Sequence, residues 1–173
     1  VSVNIGSAIS ITVNSPTICA GQTATLNASG VTTFTWSTGS NSSSITVNPA
    51  TTTAYTIAGT SGSCNGIQTT TVIVNAVPAV TTASAAICSG GTATLTGAGA
   101  STYTWNPGGL SGTSVTVSPT ATQNYTLTGA SAAGCTNTVA TTVSVTTTPT
   151  LTANSATICT GQTVTLTASG ATT

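Results

Sequence analysis

The stretch Ile18–Trp36 reads ICAGQTATLNASGVTTFTW, and Ile87–Trp105 reads ICSGGTATLTGAGASTYTW. Nearly the same words open again at Ile158, as ICTGQTVTLTASGATT, and run to Thr173. In the first copy Ala24, Leu26 and Ala28 alternate with Thr23, Thr25 and Asn27, and Phe34 and Trp36 flank Thr35. A spacing of two is that of a strand with one buried face, whereas a helix would repeat its apolar residues at three and four. The first copy therefore predicts two strands joined by the turn around Gly30.

The alternation continues on both sides. Ile45 and Val47 flank Thr46, Tyr55 and Ile57 flank Thr56, and Val72 and Val74 flank Ile73. The second copy has Ala93 and Leu95, Tyr103 and Trp105, Val115 and Val117, Tyr125 and Leu127, and Val143 and Val145. No window shows helical spacing, and β-branched residues dominate, with 46 Thr among 173 residues. Their stiff side chains favour strands, so the expected class is all-β.

The copies belong to a longer repeat. Cys19, Cys88 and Cys159 each open ICxG, and Trp36 and Trp105 follow their Cys by the same interval. Tyr55 and Tyr125 start YTI and YTL, and Cys64 and Cys135 follow in SCNG and GCTN. The period is about 70 residues, too long for a solenoid turn and suited to a small independent domain. The opening VSVN matches VIVN at Val72–Asn75 and VSVT at Val143–Thr146. The expected organisation is the end of a preceding repeat at 1–5, repeats at 6–76 and 77–148, and the first two strands of a further repeat at 149–173. On this reading the chain is a window on a longer array.

Short strands with Gly, Ser, Asn and Pro turns at roughly ten-residue intervals predict an antiparallel two-sheet sandwich. Trp36 and Trp105 on the third strand, with Tyr55 and Tyr125 opening a late strand, occupy the places of the central indole and corner tyrosine of an immunoglobulin-like sandwich. All four are expected to be core anchors rather than a ligand platform. The polar segments after the tryptophans, STGSNSSS and NPGGLSGTS, are too short for a full extra strand.

The combination of ICxGxTxTLTAxG, YTWxP, TVxPTxTxxYTLTG, GCTNT and TVxV resembles the immunoglobulin-like and PKD-like repeats arrayed in very large secreted surface proteins of Bacteroidota. The resemblance covers the whole chain. It implies tandem immunoglobulin-like domains outside the cell, in proteins some of which are adhesins. TWSTG and TWNPG lack the acidic turn of typical PKD domains, which favours the broader immunoglobulin-like label.

The five scattered cysteines point to an oxidising compartment and disulfides. Spacing alone pairs Cys19 with Cys64 and Cys88 with Cys135. Topology opposes this, because Cys19 precedes the turn after the first strand and Cys64 lies in the last hairpin, at opposite ends of a sandwich. Bridged Cα atoms lie within about 7 Å. Stacking repeats end to end would instead pair Cys19 with Cys135 and leave Cys64, Cys88 and Cys159 for repeats outside the window. Both schemes stand on the sequence. A bridge matters in either, because a domain of about 70 residues buries only about 60% of its unfolded surface.

Composition excludes more than it assigns. The chain has no Lys, Arg, Asp, Glu or His, against an ordinary usage of roughly a quarter charged residues. It has no basic patch for nucleic acid and no polybasic segment for anionic lipid. General acid–base catalysis and Lys Schiff bases need residues it lacks, and Ser or Thr nucleophiles would have no base. Calcium and zinc sites need carboxylates, His or clustered Cys, so no metal or other cofactor is expected. GxGxxG-like spacing in SGGTATLTGAGAS lacks a following helix, and no apolar run approaches a membrane span. Sequons at Asn27, Asn41 and Asn124 matter only in a source that glycosylates Asn-x-Ser/Thr.

Two functions remain. One is a structural segment of an extracellular filament or cell-surface stalk, whose uncharged faces associate with homotypic repeats or copies of the chain. The other is an adhesin module binding glycan or ice through outward Thr rows such as Thr23 and Thr25, or Thr163, Thr165 and Thr167. Thr is also simply a good exposed strand residue.

Overall fold

The computed structural model describes residues 9–170, so the expected remnant at 1–5 lies outside the described residues. The first repeat forms β1 (Thr12–Val13), β2 (Thr17–Cys19), β3 (Ala24–Ser29), β4 (Thr33–Trp36), β5 (Ser44–Val47), β6 (Thr53–Ser61) and β7 (Cys64–Asn75). Its strands make two sheets, in the orders β1-β3-β5 and β2-β7-β6-β4. The second repeat forms β8 (Thr81–Thr82), β9 (Ala85–Cys88), β10 (Ala93–Ala98), β11 (Thr102–Asn106), β12 (Leu110–Ser111), β13 (Ser114–Val117), β14 (Gln123–Ala130) and β15 (Thr136–Thr146). Its sheets are β13-β10-β8 and β12-β11-β14-β15-β9. The fold is all-β and immunoglobulin-like: β3 lies with β5, and β10 with β13, in one sheet of each repeat, while β4, β6 and β7, like β11, β14 and β15, lie in the other.

The sheets are not purely antiparallel as the spacing suggested. β2 pairs in parallel with β7, and β9 with β15. The cause is local to the first strand, which splits and serves both sheets. β1 pairs with β3, the chain crosses at Asn14–Pro16, and β2 continues on the other sheet. Pro16 has no N–H to give a ladder, and its carbonyl accepts from Ile73 N at 3.1 Å. Thr70, buried between the sheets, donates its hydroxyl to the Asn14 carbonyl at 2.7 Å. Thr141 does the same for Ala83 at 2.9 Å.

The alternating residues form the cores. Ala24, Leu26 and Ala28 of β3 are buried with Trp36, Ile45, Ile57 and Val72. Ala93, Leu95, Trp105, Leu127 and Val143 do so in the second repeat, with Tyr103 and Tyr125. Antibody domains bridge the second and sixth strands by a disulfide packed on the Trp. Here Leu26 and Ile57, both fully buried, fill those strands, each contributing about 1.5–3 kcal/mol by transfer from water. The segment after Trp105 yields a two-residue strand, β12, paired to β11.

The chain divides into two compact units. One runs to Ala79 and takes in Ala130–Asn137; the other comprises Val80–Gly129 and the chain from Thr138 onward. The tip of the last hairpin of the second repeat therefore packs with the first unit. Asn137 Nδ2 donates to the Pro78 carbonyl there at 3.0 Å.

The third copy folds locally. β16 (Thr152–Ala153) pairs with β17 (Ala168–Ser169), Thr152 opposite Ser169, in the register that sets Thr12 opposite Ser29. Asn154 Oδ1 accepts from Thr167 N at 2.6 Å, as Asn14 Oδ1 does from Asn27 N at 2.7 Å. Gly170 and Gly30 have φ of 107° and 97°, and a Cβ at either would lie within 2.0 Å of a carbonyl oxygen, Thr150 or Ser10. Residues 149–170 are all exposed, since among the described residues no second sheet covers the two short strands.

Candidate functional site

Among the described residues no group of three potential metal ligands occurs. The features to weigh are the outward faces, one depression and the cysteines. On β3, Thr25, Asn27 and Ser29 face outward. Their polar atoms are largely engaged within the sheet. The Thr12 and Ser29 hydroxyls bond at 2.7 Å, and Ser44 Oγ donates to Asn27 Oδ1 at 2.8 Å. On the other sheet of the first repeat the Thr33 and Thr60 hydroxyls bond to each other, and between β14 and β15 of the second repeat Thr142 Oγ1 donates to Asn124 Oδ1 at 2.7 Å. Such cross-strand pairs stabilise a sheet. Of the Thr rows expected to bind a surface, Thr163, Thr165 and Thr167 lie in a stretch without strand pairing, before β17. Thr23 precedes β3, leaving Thr25 alone of its pair on the strand.

The depression, of about 310 Å³, lies on the outer face of β4, β6 and β7 in the first unit, between Thr33, Thr35, Ala58, Asn65 and Ile67. Ile67 is 72% exposed. Its counterpart in the second repeat is Thr138, so the exposed Ile does not recur with the repeat.

Two of the expected anchors, Trp36 and Trp105, are 2% and 0% exposed. Each indole N–H is satisfied by the loop that follows, Trp36 on the Ser42 carbonyl at 2.8 Å and Trp105 on Gly112 at 3.1 Å. Tyr125 is buried, whereas Tyr55 is only half-buried against its core. The tyrosine tied to the backbone is a different one. Tyr103 OH accepts from Ala100 N and donates to the Ala100 carbonyl, both at 2.8 Å, clamping the turn before its own strand. Phe34 holds that position in the first repeat, so only the difference between YTW and FTW signalled it.

The structure contains one of the two disulfide schemes. Cys19 and Cys135 are bridged, with Cα atoms 5.7 Å apart across a separation of 116 residues. The pairing of Cys19 with Cys64 and of Cys88 with Cys135 is overturned. Cys19 lies beside Asn75, the last residue of β7, and Cys64 is the first of that strand's 12 residues. A rise of about 3.3 Å per residue puts them roughly 35 Å apart. Cys88 beside Thr146 and Cys135 just before Thr136 stand at opposite ends of β15 in the same way. Cys64 is free and half-buried; Cys88 and Cys159 are free and exposed.

No family model and no curated protein matches the chain. Among solved structures it is similar to the crystal structure of DIP-gamma IG1+IG2, at 15% identity, over 80% of this chain and 98% of that one, with a TM-score of 0.40. Drosophila OTK extracellular domains 3–5 are 12% identical, over 79% of this chain and 62% of that one, with a TM-score of 0.46. The I-band fragment I67–I69 from titin is 13% identical, over 83% and 68%, with a TM-score of 0.41. At these identities and scores the likenesses add nothing to the strand pairing, which by itself defines the fold.

Proposed function

We propose that the chain is a structural repeat segment of an extracellular filament or cell-surface stalk, in which repeats or copies associate through uncharged sheet faces. The observation that carries this reading is the Cys19–Cys135 bridge. It joins the turn of one repeat to the hairpin of the next and so resists their separation. A bridge of this kind belongs to an oxidising compartment, which supports a secreted location. The absence of any charged side chain removes the like-charge repulsion that keeps ordinary domains apart. The residues of general acid–base catalysis are missing, which favours a non-enzymatic structural role. An origin among Bacteroidota surface repeats rests on the motif resemblance. Antibody to the chain, imaged by electron microscopy on intact cells of the source, is expected to decorate fibres or stalks; label confined to the cell interior would contradict the reading.

One observation favours a second reading, a binding module of an adhesin. The 310 Å³ depression beside Ile67 falls at the small end of ligand pockets, which run from about 300 to 1,000 Å³. A glycan array and a thermal-hysteresis measurement test glycan and ice respectively. A signal abolished by Ile67→Asn would favour the binding module, and silence in both would remove it.

A further inference from the structure

The Cys19–Cys135 bridge has a turn half and a hairpin half, and each half recurs in the chain without a partner. Three features place the turn half: Cys19 lies parallel to Asn75, Ala20 N donates to the Asn75 carbonyl at 2.9 Å, and Gln22 N closes the turn on the Cys19 carbonyl at 3.0 Å. Cys88 has all three. It lies parallel to Thr146, Ser89 N donates to the Thr146 carbonyl at 2.8 Å, and Gly91 N closes the turn on the Cys88 carbonyl at 2.9 Å. Its thiol is free and exposed. The hairpin half, Cys135, directly precedes β15. Cys64 opens β7 at the corresponding hairpin of the first repeat and is also free.

We infer that Cys88 is the turn half of a second bridge of the Cys19–Cys135 kind, and that its other half is a hairpin thiol placed as Cys64 is, on a further domain of this fold. The turn and hairpin thiols of one repeat stand at opposite ends of its longest strand, so neither can close the bond within that repeat. In the bridge already formed, a turn thiol takes the hairpin of the repeat that follows. The two partners of each bond sit on different patches of the domain, so the contact is heterologous and propagates head to tail. In the reaction each thiol releases its proton to solvent and one Sγ–Sγ bond forms. The two electrons reduce a disulfide oxidant, an oxidised dithiol or oxidised glutathione, to two thiols through a mixed disulfide. The inference deepens the stalk reading and rests on it only for oxidising surroundings. The hairpin thiol has two sources, a further repeat of the same polypeptide or a second copy of the chain.

The test uses the 173-residue chain with Cys159→Ser, so that Cys88 is its one free turn thiol. It is reoxidised in a glutathione buffer, its remaining thiols are capped with iodoacetamide, and it is digested with thermolysin, since trypsin and Glu-specific proteases have no site to cut. The expected linked peptides are Cys19–Cys135 within a chain and Cys88–Cys64 between chains. A ladder of covalent oligomers on a non-reducing denaturing gel should fall at least tenfold with Cys88→Ser or Cys64→Ser while the Cys19–Cys135 peptide persists. Capped Cys88 in material with an intact Cys19–Cys135 bond, a Cys88–Cys88 bond, or a Cys64–Cys88 bond within one chain would each overturn the inference. Material from the source separates the two origins: Cys88 linked to a hairpin peptide whose large species survives reduction has its partner in the same polypeptide, and collapse on reduction assigns it to a second copy. Filaments that form in reductant, with Cys88 found unbonded, would leave the stalk reading standing and remove this one.

Discussion

Removing the Cys19–Cys135 bridge is the perturbation whose cost follows most directly from the structure. The bond closes a separation of 116 residues, for which the chain-entropy relation gives about 5 kcal/mol. If the second unit stays folded while the first unfolds, the flexible part of the loop is shorter, and the logarithmic dependence lowers the figure only to about 4 kcal/mol. Residual structure in the unfolded chain reduces it further, so the expected loss is about 2–5 kcal/mol. It falls on the first compact unit, which contains both cysteines. The assay is urea unfolding of Cys19→Ala/Cys135→Ala, followed by tryptophan fluorescence in a Trp105→Phe background so that Trp36 reports the first unit. With an m of about 1 kcal/mol per M for so small a unit, the midpoint falls by about 2–5 M. A thiol reductant should lower the midpoint of the parent by a similar amount and leave that of the variant unmoved. A shift under about 0.5 M in both experiments would refute the claim that this bridge holds the first unit together.

Thr82 Oγ1 is buried without a hydrogen-bond partner among the described residues, and its counterpart in the first repeat is Val13, packed on the core. Thr82→Val is therefore expected to stabilise the second unit by about 1 kcal/mol, read as a rise in melting temperature of about 4–8 °C. Tyr103→Phe, which copies Phe34 and deletes both bonds to Ala100, should cost about 1–2 kcal/mol by the same measurement. With no Asp, Glu or His, the folded and unfolded chains bind equal numbers of side-chain protons across mildly acidic pH. The slope of stability with pH is then zero, and the melting temperature should be level from about pH 4 to about pH 7; a steady fall toward acid would contradict this.

Sequence alone reached the parts of the fold that a period of two encodes. Ala24, Leu26 and Ala28 point inward because alternate residues of any strand do, and the same holds for Ala93 and Leu95. What escaped it depends on partners distant along the chain. The crossing at Asn14–Pro16 is a short polar stretch held by Thr70, whose hydroxyl donates to the Asn14 carbonyl; nothing in TTTV distinguishes buried Thr70 from exposed Thr69 or half-buried Thr71. Parallel pairing of β2 with β7 follows from that crossing and was likewise hidden. The disulfide stood between two schemes because spacing counts residues, whereas the end of β7 at which each thiol lies decides the bond. Tyr55 and Tyr125 open their strands alike, yet only Tyr125 is buried, and the hydroxyl that clamps the backbone belongs to Tyr103. The outward Thr12 and Thr33 hydroxyls bond across their sheets to Ser29 and Thr60, partners 17 and 27 residues away that sequence does not reveal.

Self-association through uncharged faces is the central claim, and sedimentation of the chain across concentration and salt tests it most directly. Association driven by uncharged surfaces should grow from low to high micromolar protein and should persist undiminished from about 20 mM to about 500 mM salt, a range over which the Debye length shrinks severalfold and exposed ion pairs are screened. The measurement is made without reductant on Cys64→Ser/Cys88→Ser/Cys159→Ser, so that the Cys19–Cys135 bond stays closed and covalent ladders do not form. Species well above 16.5 kDa at every salt concentration are the predicted result. A single 16.5 kDa monomer at all concentrations, or oligomers that dissolve as salt is added, would contradict it.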